Sequence, residues 1–243
     1  MKLGKEDILY EDEEMIVCHK PPGIATQTSR PGEADMVSAL KNYLRTAYVG
    51  VVHRLDQPVE GILVFAKTKT AAARLSEQNR EKTMCKHYRA AAVLQKKTES
   101  GLAQGDGLQE PGKEYVLVDY LLKDGRENIS KVVKQGTPGA KRAELVYKII
   151  KMKQTEEQQR VLLEIVLKTG RHHQIRVQLS HAGLPLLGDA KYGSGLPDVS
   201  DREHSIKNVA LCANRLEFRH PATGKKMSFE IEPSGTAFGI FSS

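Results

Sequence analysis

Most acidic residues of this chain stand in charged stretches that water will solvate, and Asp56 does not. It ends the segment Val51-Val52-His53-Arg54-Leu55-Asp56 and precedes a turn around Pro58. Apolar neighbours on both sides shield a carboxylate, and a shielded carboxylate must find a cation or take up a proton. Arg54 and Arg176 are the candidate cations. A carboxylate kept ionised in such a place can attack as a nucleophile or remove a proton. A buried Asp–Arg pair can also serve the fold alone, and the residues themselves leave both readings open.

The other chemistry-bearing groups exclude more than they suggest. His172 and His173 are adjacent, so on a helix their side chains diverge by about 100° and do not readily share an ion. No HExxH pattern occurs, and His181 lies eight residues beyond His173. No metal site is expected. Gly105-Asp106-Gly107 lacks the third glycine of a dinucleotide fingerprint and reads as turn chemistry. Glycoside hydrolases commonly pair two carboxylates, and none accompanies Asp56. The three cysteines, Cys18, Cys85 and Cys212, are odd in number and form no CxxC pair. They read as small hydrophobes of a reducing compartment, and the expected location is the cytoplasm.

Composition narrows the class further. The chain has 243 residues, enough for a full core, with 40% hydrophobic and 28% charged residues. Lys and Arg outnumber Asp and Glu by 37 to 30, a net charge of +7 that draws polyanions. Aromatic residues make up only 5%, which suits a pocket for one base better than a long stacking platform. No apolar run is long enough to span a bilayer, and the start of the chain is too charged for a secretory signal.

The elements that must position these groups read as follows. Residues 8–10 and 15–18 form a hairpin across an acidic turn, ended by Lys20-Pro21-Pro22-Gly23. Val37, Leu40 and Leu44 have helical spacing behind Asp35 as N-cap. Residues 61–66 read as a buried strand, followed by a helix over 71–80 capped by Thr70. Residues 95–112 read as an exposed excursion, and 134–142 as a basic loop, either simply solvated or a contact for an RNA backbone. Residues 161–167 form a strand broken by Gly170. A short helix over 172–182 follows, closed by Gly183. Leu216 and Phe218, then Met227, Phe229 and Ile231, alternate around a turn as a C-terminal hairpin. Many strands and few short helices predict a mixed α+β fold, not regular βαβ winding.

The chain resembles the RluA-type RNA pseudouridine synthases. His53-Arg54-Leu55-Asp56 followed by Gly61-Ile62-Leu63-Val64-Phe65-Ala66-Lys67-Thr68 is similar to that family's catalytic motif. Lys20-Pro21-Pro22-Gly23 resembles its Lys-Pro-x-Gly element, and Tyr88-Arg89-Ala90 its Tyr-x-Ala motif. Thr169-Gly170-Arg171-His172-His173-Gln174-Ile175-Arg176-Val177 resembles its long C-terminal motif. That match continues through Gly183-Leu184-Pro185-Leu186-Leu187-Gly188-Asp189 to Tyr192-Gly193. The last hairpin resembles Leu-x-Phe-x-His-Pro-x-Thr-Gly. These motifs are colinear from about residue 8 to residue 233. The family usually has Thr-Ser where this chain has Val59-Glu60, which places an unexpected negative charge near the RNA backbone.

The resemblance implies one catalytic domain over residues 1–243, a mixed and largely antiparallel sheet with flanking helices around a cleft. It leaves no room for the extra N-terminal RNA-binding module of some relatives. It implies isomerisation of uridine to pseudouridine in structured rRNA or tRNA by a base-flipping monomer that needs no cofactor, metal or membrane. Asp56 takes the role of the catalytic carboxylate. Arg176 pairs with it and keeps it ionised, and Tyr88 lies against the uracil. Arg54 enters the RNA where the base has left, His53 orients the loop, and Arg171 contacts phosphate or supports its loop. Lys20, Leu55 and Ile175 complete the substrate-binding set. The alternative is a catalytically inactive RNA-binding paralogue.

Overall fold

The structure, a computed structural model, describes residues 3–28, 30, 32–95, 110–155, 158–193, 206 and 208–241. In chain order the elements begin with β1 (Ile8–Glu11), β2 (Met15–Lys20), α1 (Met36–Leu44), β3 (Gly50–Val51), β4 (Glu60–Ala66), α2 (Lys69–Arg80) and β5 (Cys85–Leu94). They continue with β6 (Glu114–Asp124), β7 (Ile129–Val133), β8 (Lys141–Gln154), β9 (Gln159–Leu167), α3 (Gln174–His181), β10 (Leu211–Arg219), β11 (Lys226–Glu230) and α4 (Thr236–Gly239). The α+β class and the dominance of antiparallel pairing match the expectation. Of the expected 95–112 excursion, residues 96–109 lie outside the described residues.

The residues group into two compact units. The first comprises Met1–His87 and Cys212–Pro233. β1 and β2 form the predicted hairpin, whose turn is fixed by Asp12 Oδ1 accepting from Glu14 N and Met15 N at 2.8 and 2.9 Å. β2 pairs antiparallel with β4, from Met15 opposite Ala66 to Lys20 opposite Gly61. β10 runs parallel to β4 at Cys212–Glu60 and Ala213–Gly61, and β11 returns antiparallel along β10. β4 is buried along its whole length, as its unbroken apolar run requires. Gly61 has φ +140°, and a Cβ there would lie 2.5 Å from Ala213, so glycine permits the close approach of β10.

α1 starts where expected, with Asp35 Oδ1 accepting from Ser38 N at 2.7 Å. α2 corrects the sequence reading, because Thr68 is its cap, not Thr70. Thr68 is extended at φ −122° and accepts from Ala71 N at 3.1 Å. Thr70 already lies inside the first turn. Ala71 and Leu75 of α2 pack with Val52, Ile62, Val64, Leu216 and Phe218 in the core of this unit. The far side of α2 holds the β10–β11 turn through Arg74 to Pro221 O and a reciprocal pair between Gln78 and Arg219.

The second unit comprises Tyr88–Leu211 and Ser234–Ser243. β9, β8, β6 and β7 lie side by side, each pair antiparallel, with β5 beyond β9. Burial alternates along β8, the signature of a sheet covered on one face. The covered face at the β6–β7 end carries Leu121 and Ala143, against which Val177 of α3 packs. Gly183, at φ +78°, closes α3 as predicted.

Candidate active site

The Asp56 segment is held by its backbone on both sides. Thr26 Oγ1 donates to Leu55 O at 3.0 Å and accepts from Leu55 N at 3.1 Å. On the other side Gly23 N donates to Gln57 O at 2.8 Å, and Gln57 Nε2 donates to Gly23 O at 3.1 Å. The turn from Asp56 to Val59 closes through Val59 N to Asp56 O at 3.0 Å. Leu55 and Val59 are buried while Asp56 is half-buried. A half-buried carboxylate is thus set on a turn held by hydrogen bonds on both sides, an arrangement that favours a preorganised reactive group.

Lys20 is the brace beneath this turn. It is fully buried, and its ammonium donates to Pro21 O at 2.9 Å, Ile24 O at 2.6 Å and Gln57 O at 3.1 Å. Burial lowers its pKa to about 8, against the opposing fields of Asp56 and Glu60. Lys20→Met would strip a donor from three carbonyls. It is expected to lower unfolding stability by roughly 3 kcal/mol, read as a shift in urea midpoint at unchanged m-value. A loss below about 1 kcal/mol would show that the brace is not needed.

Glu60 corrects the expectation of a negative charge facing RNA. It is only 3% exposed, opens β4, and sits 3.8 Å from His19 Nε2 while its field reaches Lys20. Its charge is directed inward. Val59 is likewise buried.

The remaining residues of the motif divide by exposure. Arg54 is exposed and its Nη2 donates to Gln27 Oε1 at 2.9 Å. His53 is buried and its Nε2 accepts from Val64 N at 3.4 Å, a bond between the Asp56 segment and β4. Burial, reinforced by the positive field of Lys86, keeps His53 neutral far below its ordinary range. Two supports had no signal in the sequence. Asn79 of α2 donates to Val52 O at 3.4 Å and accepts from Lys86 Nζ at 2.5 Å, which ties the strand before Asp56 to the helix. Thr26 is the other.

Tyr88 and Arg176 belong to the second unit. Tyr88 lies on β5 and is 6% exposed. The bend before α3 is built by Gln174. Its Oε1 accepts from Thr169 Oγ1 at 2.8 Å and Arg171 N at 2.9 Å, and its Nε2 donates to Glu144 O at 3.1 Å. Arg171 is exposed and its Nε donates to Arg142 O at 2.9 Å. Ile175 is buried.

Arg176 is 3% exposed and gripped at one edge by Asp189, Nε to Oδ2 at 2.7 Å and Nη2 to Oδ1 at 2.6 Å. Its guanidinium lies 5.1 Å from the centre of the Tyr192 ring. Asp189 Oδ1 also accepts from Lys191 N and Tyr192 N, which orients the carboxylate. Asp189 lies in the motif that runs from Gly183 to Gly193, and nothing local in the sequence marks it as the partner of Arg176. A buried, bidentate pair holds a cation in one orientation.

His173 stands at the N-cap of α3 in the left-handed region, φ +52°. Its Nδ1 lies 2.8 Å from Tyr192 Oη, and its ring stacks on His172 with centroids 3.8 Å apart. Burial, then Arg176, His172, Lys191 and Lys123, lower its pKa to about 3. Both buried histidines therefore stay neutral in the native protein at pH values where unfolded histidines are charged. The unfolded state binds more protons below about pH 6.5, so stability falls as pH drops from there, by up to about 1.4 kcal/mol per pH unit per histidine. Urea midpoints are expected to decrease by roughly 3 kcal/mol equivalent between about pH 6.5 and 5. A flat profile in that window would refute neutral burial of His53 and His173.

Among the described residues no group of three or more His, Cys, Asp or Glu is arranged to hold a metal ion, and no helix is long and apolar enough to cross a membrane. The family model for RNA pseudouridylate synthases matches residues 14–181. This chain belongs to the RNA pseudouridylate synthase family. Among its relatives, the uncharacterized RNA pseudouridine synthase YhcT of Bacillus subtilis is 33% identical over 225 residues, 90% of this chain and 66% of the relative. Ribosomal large subunit pseudouridine synthase C of Buchnera aphidicola is 33% identical over 229 residues, 90% of this chain and 65% of that one. The chain thus spans about two thirds of the length of these curated relatives. In fold it is similar to human RNA Pseudouridylate Synthase Domain Containing 1, with a TM-score of 0.70 at 21% identity over 96% of this chain and 86% of that one. The pseudouridylate synthase match includes Asp56, Tyr88 and Arg176 and ends before Asp189.

Proposed function

We propose that this chain is an RNA pseudouridine synthase acting on uridine in a structured ribosomal or transfer RNA. The observation that carries the reading is the half-buried Asp56 on a turn locked by Thr26, Lys20 and Gly23. The reaction breaks the N1–C1′ bond, turns the base, and joins C1′ to C5. The C5 proton leaves and N1 regains one, so the formula is unchanged and no oxidant or group donor is required. Asp56 supplies the carboxylate, as nucleophile at the sugar or as base on a sugar proton. Arg176 and Tyr88 take the roles the family resemblance implies, charge partner and stacking face with a hydroxyl. Exposed Arg54 fits a side chain that fills the gap left by a flipped base and offsets an unstacking cost of order a few kcal/mol. A uridine in a stem-loop is the expected target, since bases flip most easily from loops.

The test is a pseudouridine map of total RNA by carbodiimide modification and primer extension. It compares a strain lacking this chain with strains restored by wild type or by Asp56→Ala. Sites that vanish in the deletion and return only with wild type establish the activity, its target and the role of Asp56. A map identical in all strains would favour the inactive paralogue. RNA affinity is also expected to fall steeply with added salt, and a flat response would count against binding through the basic surface.

A further inference from the structure

Two exposed basic segments of the second unit differ in what their charges already do. Where the 134–140 loop enters β8, Arg142 pairs with Glu144 at 2.5 Å and its carbonyl takes Arg171 Nε. At the tip of the β6–β7 hairpin the cations are uncommitted to carboxylates. Lys123 and Lys191 are exposed, and among the described residues no carboxylate pairs with either. Lys191 Nζ donates to Asn128 O at 2.9 Å, and His172 Nε2 lies 3.1 Å from Asn128 Oδ1. Ser130, opposite Lys123 in the ladder, places its Oγ 2.9 Å from His172 Nδ1. Lys123, Lys191 and His172 therefore converge on one side of the hairpin tip.

The neighbouring carboxylates face elsewhere. Asp124 accepts from Arg126 N and Glu127 N in its own turn, Asp119 accepts from Gln178, and Asp189 grips Arg176. Exposed Glu127 is offset by exposed Arg126 in the same turn. The resulting positive field, after burial, lowers the pKa of His172, with Lys123, Lys191 and Arg176 as its sources. The tip is tied to the Arg176 clamp, since Ser130 N donates to Tyr192 Oη at 2.7 Å and Tyr192 stands beneath the guanidinium.

We propose that Lys123 and Lys191, on either side of His172, form a phosphate cradle that fixes the backbone of the RNA strand relative to Arg176. Lysine ammoniums suit this task as point charges that position a strand without reading its sequence. Burial is the main cause of the lowered His172 pKa and the fields of Lys123 and Lys191 add to it; a phosphate seated there offsets those fields, so RNA binding raises the His172 pKa. The inference rests on the RNA-acting reading and refines it to one site.

The experiment measures binding of an RNA stem-loop of about 20 nucleotides by fluorescence anisotropy across a potassium chloride series, with the His172 imidazole followed by NMR. The proteins are wild type, Lys123→Ala/Lys191→Ala, and a control Lys113→Ala/Lys225→Ala that removes the same charge elsewhere. The cradle variant is expected to bind roughly tenfold more weakly near physiological salt and to lose about 1.5 from the magnitude of the log–log salt slope. The control should lose clearly less. RNA should raise the His172 pKa in wild type and leave it unmoved in the cradle variant. If wild type binds with a steep slope but both variants match each other and RNA does not move His172, the cradle is wrong. If wild type shows no salt-dependent binding at all, the RNA-acting reading itself fails.

Discussion

Asp56→Asn is expected to lower turnover on the target RNA by roughly 10³-fold while leaving the fold and RNA affinity nearly unchanged. The turn that carries Asp56 is held through main-chain atoms of Leu55, Gln57 and Val59. Those bonds remain when Asp56 loses its charge, so the loop is expected to stay in place. Asp56 raises the Lys20 pKa against burial, so its loss lowers that pKa further. The comparison belongs on the acid side of neutrality, which favours the charged Lys20 that makes the three hydrogen bonds. Asp56→Glu keeps the charge but moves it by about one bond length, and misplacement on the order of 1 Å costs about 100-fold. Single-turnover rates with saturating enzyme separate chemistry from binding. Retention of more than about a tenth of wild-type turnover by Asp56→Asn would remove Asp56 from the reaction.

The second large effect concerns the Arg176–Asp189 clamp. Asp189→Ala leaves a guanidinium buried at 3% exposure without its bidentate partner. The expected cost is about 3–5 kcal/mol of unfolding stability, read from urea midpoints. Replacing both residues, Arg176→Met with Asp189→Leu, removes the buried charge and its partner together. That double variant is expected to recover most of the lost stability, since apolar side chains of similar volume commonly substitute well for a buried pair. Under the proposed function it recovers no activity, because the cation is gone. Recovery of stability without turnover separates the two duties of Arg176. A double variant that turns over normally would reduce the clamp to a structural device.

Much of the fold was legible because its signals are local. The β1–β2 hairpin, the Asp35 cap, the apolar run of β4, the Gly183 stop and the β10–β11 hairpin each follow from residues within a few positions of one another. The cap of α2 shows the limit of such reading. Thr68 and Thr70 are equivalent in type, and only where β4 releases the chain decides which lies outside the first turn. The middle of the chain was the weakest part. β6 and β8 carry Glu, Lys and Arg at their outward positions and Val116 and Val118 in solvent, so their alternation mixes polar and apolar residues on the exposed face. Their length is set by pairing with each other and with β9, which no local window contains.

Residue order and type by themselves determined the basic surface, the α+β class, the family motifs and the choice of Asp56 as the carboxylate worth testing. The tertiary structure decided which groups are dry and what each one touches. It turned Glu60 inward, placed Lys20 under the Gln57 carbonyl and joined Thr26 to Leu55 across 29 positions. It also gave Arg176 the grip of Asp189, 13 positions away. The reason is physical. Charge and motif are properties of the chain, whereas dehydration and hydrogen-bond partnership arise only when segments distant in sequence are packed together, and those two set how a carboxylate, a lysine or a guanidinium behaves.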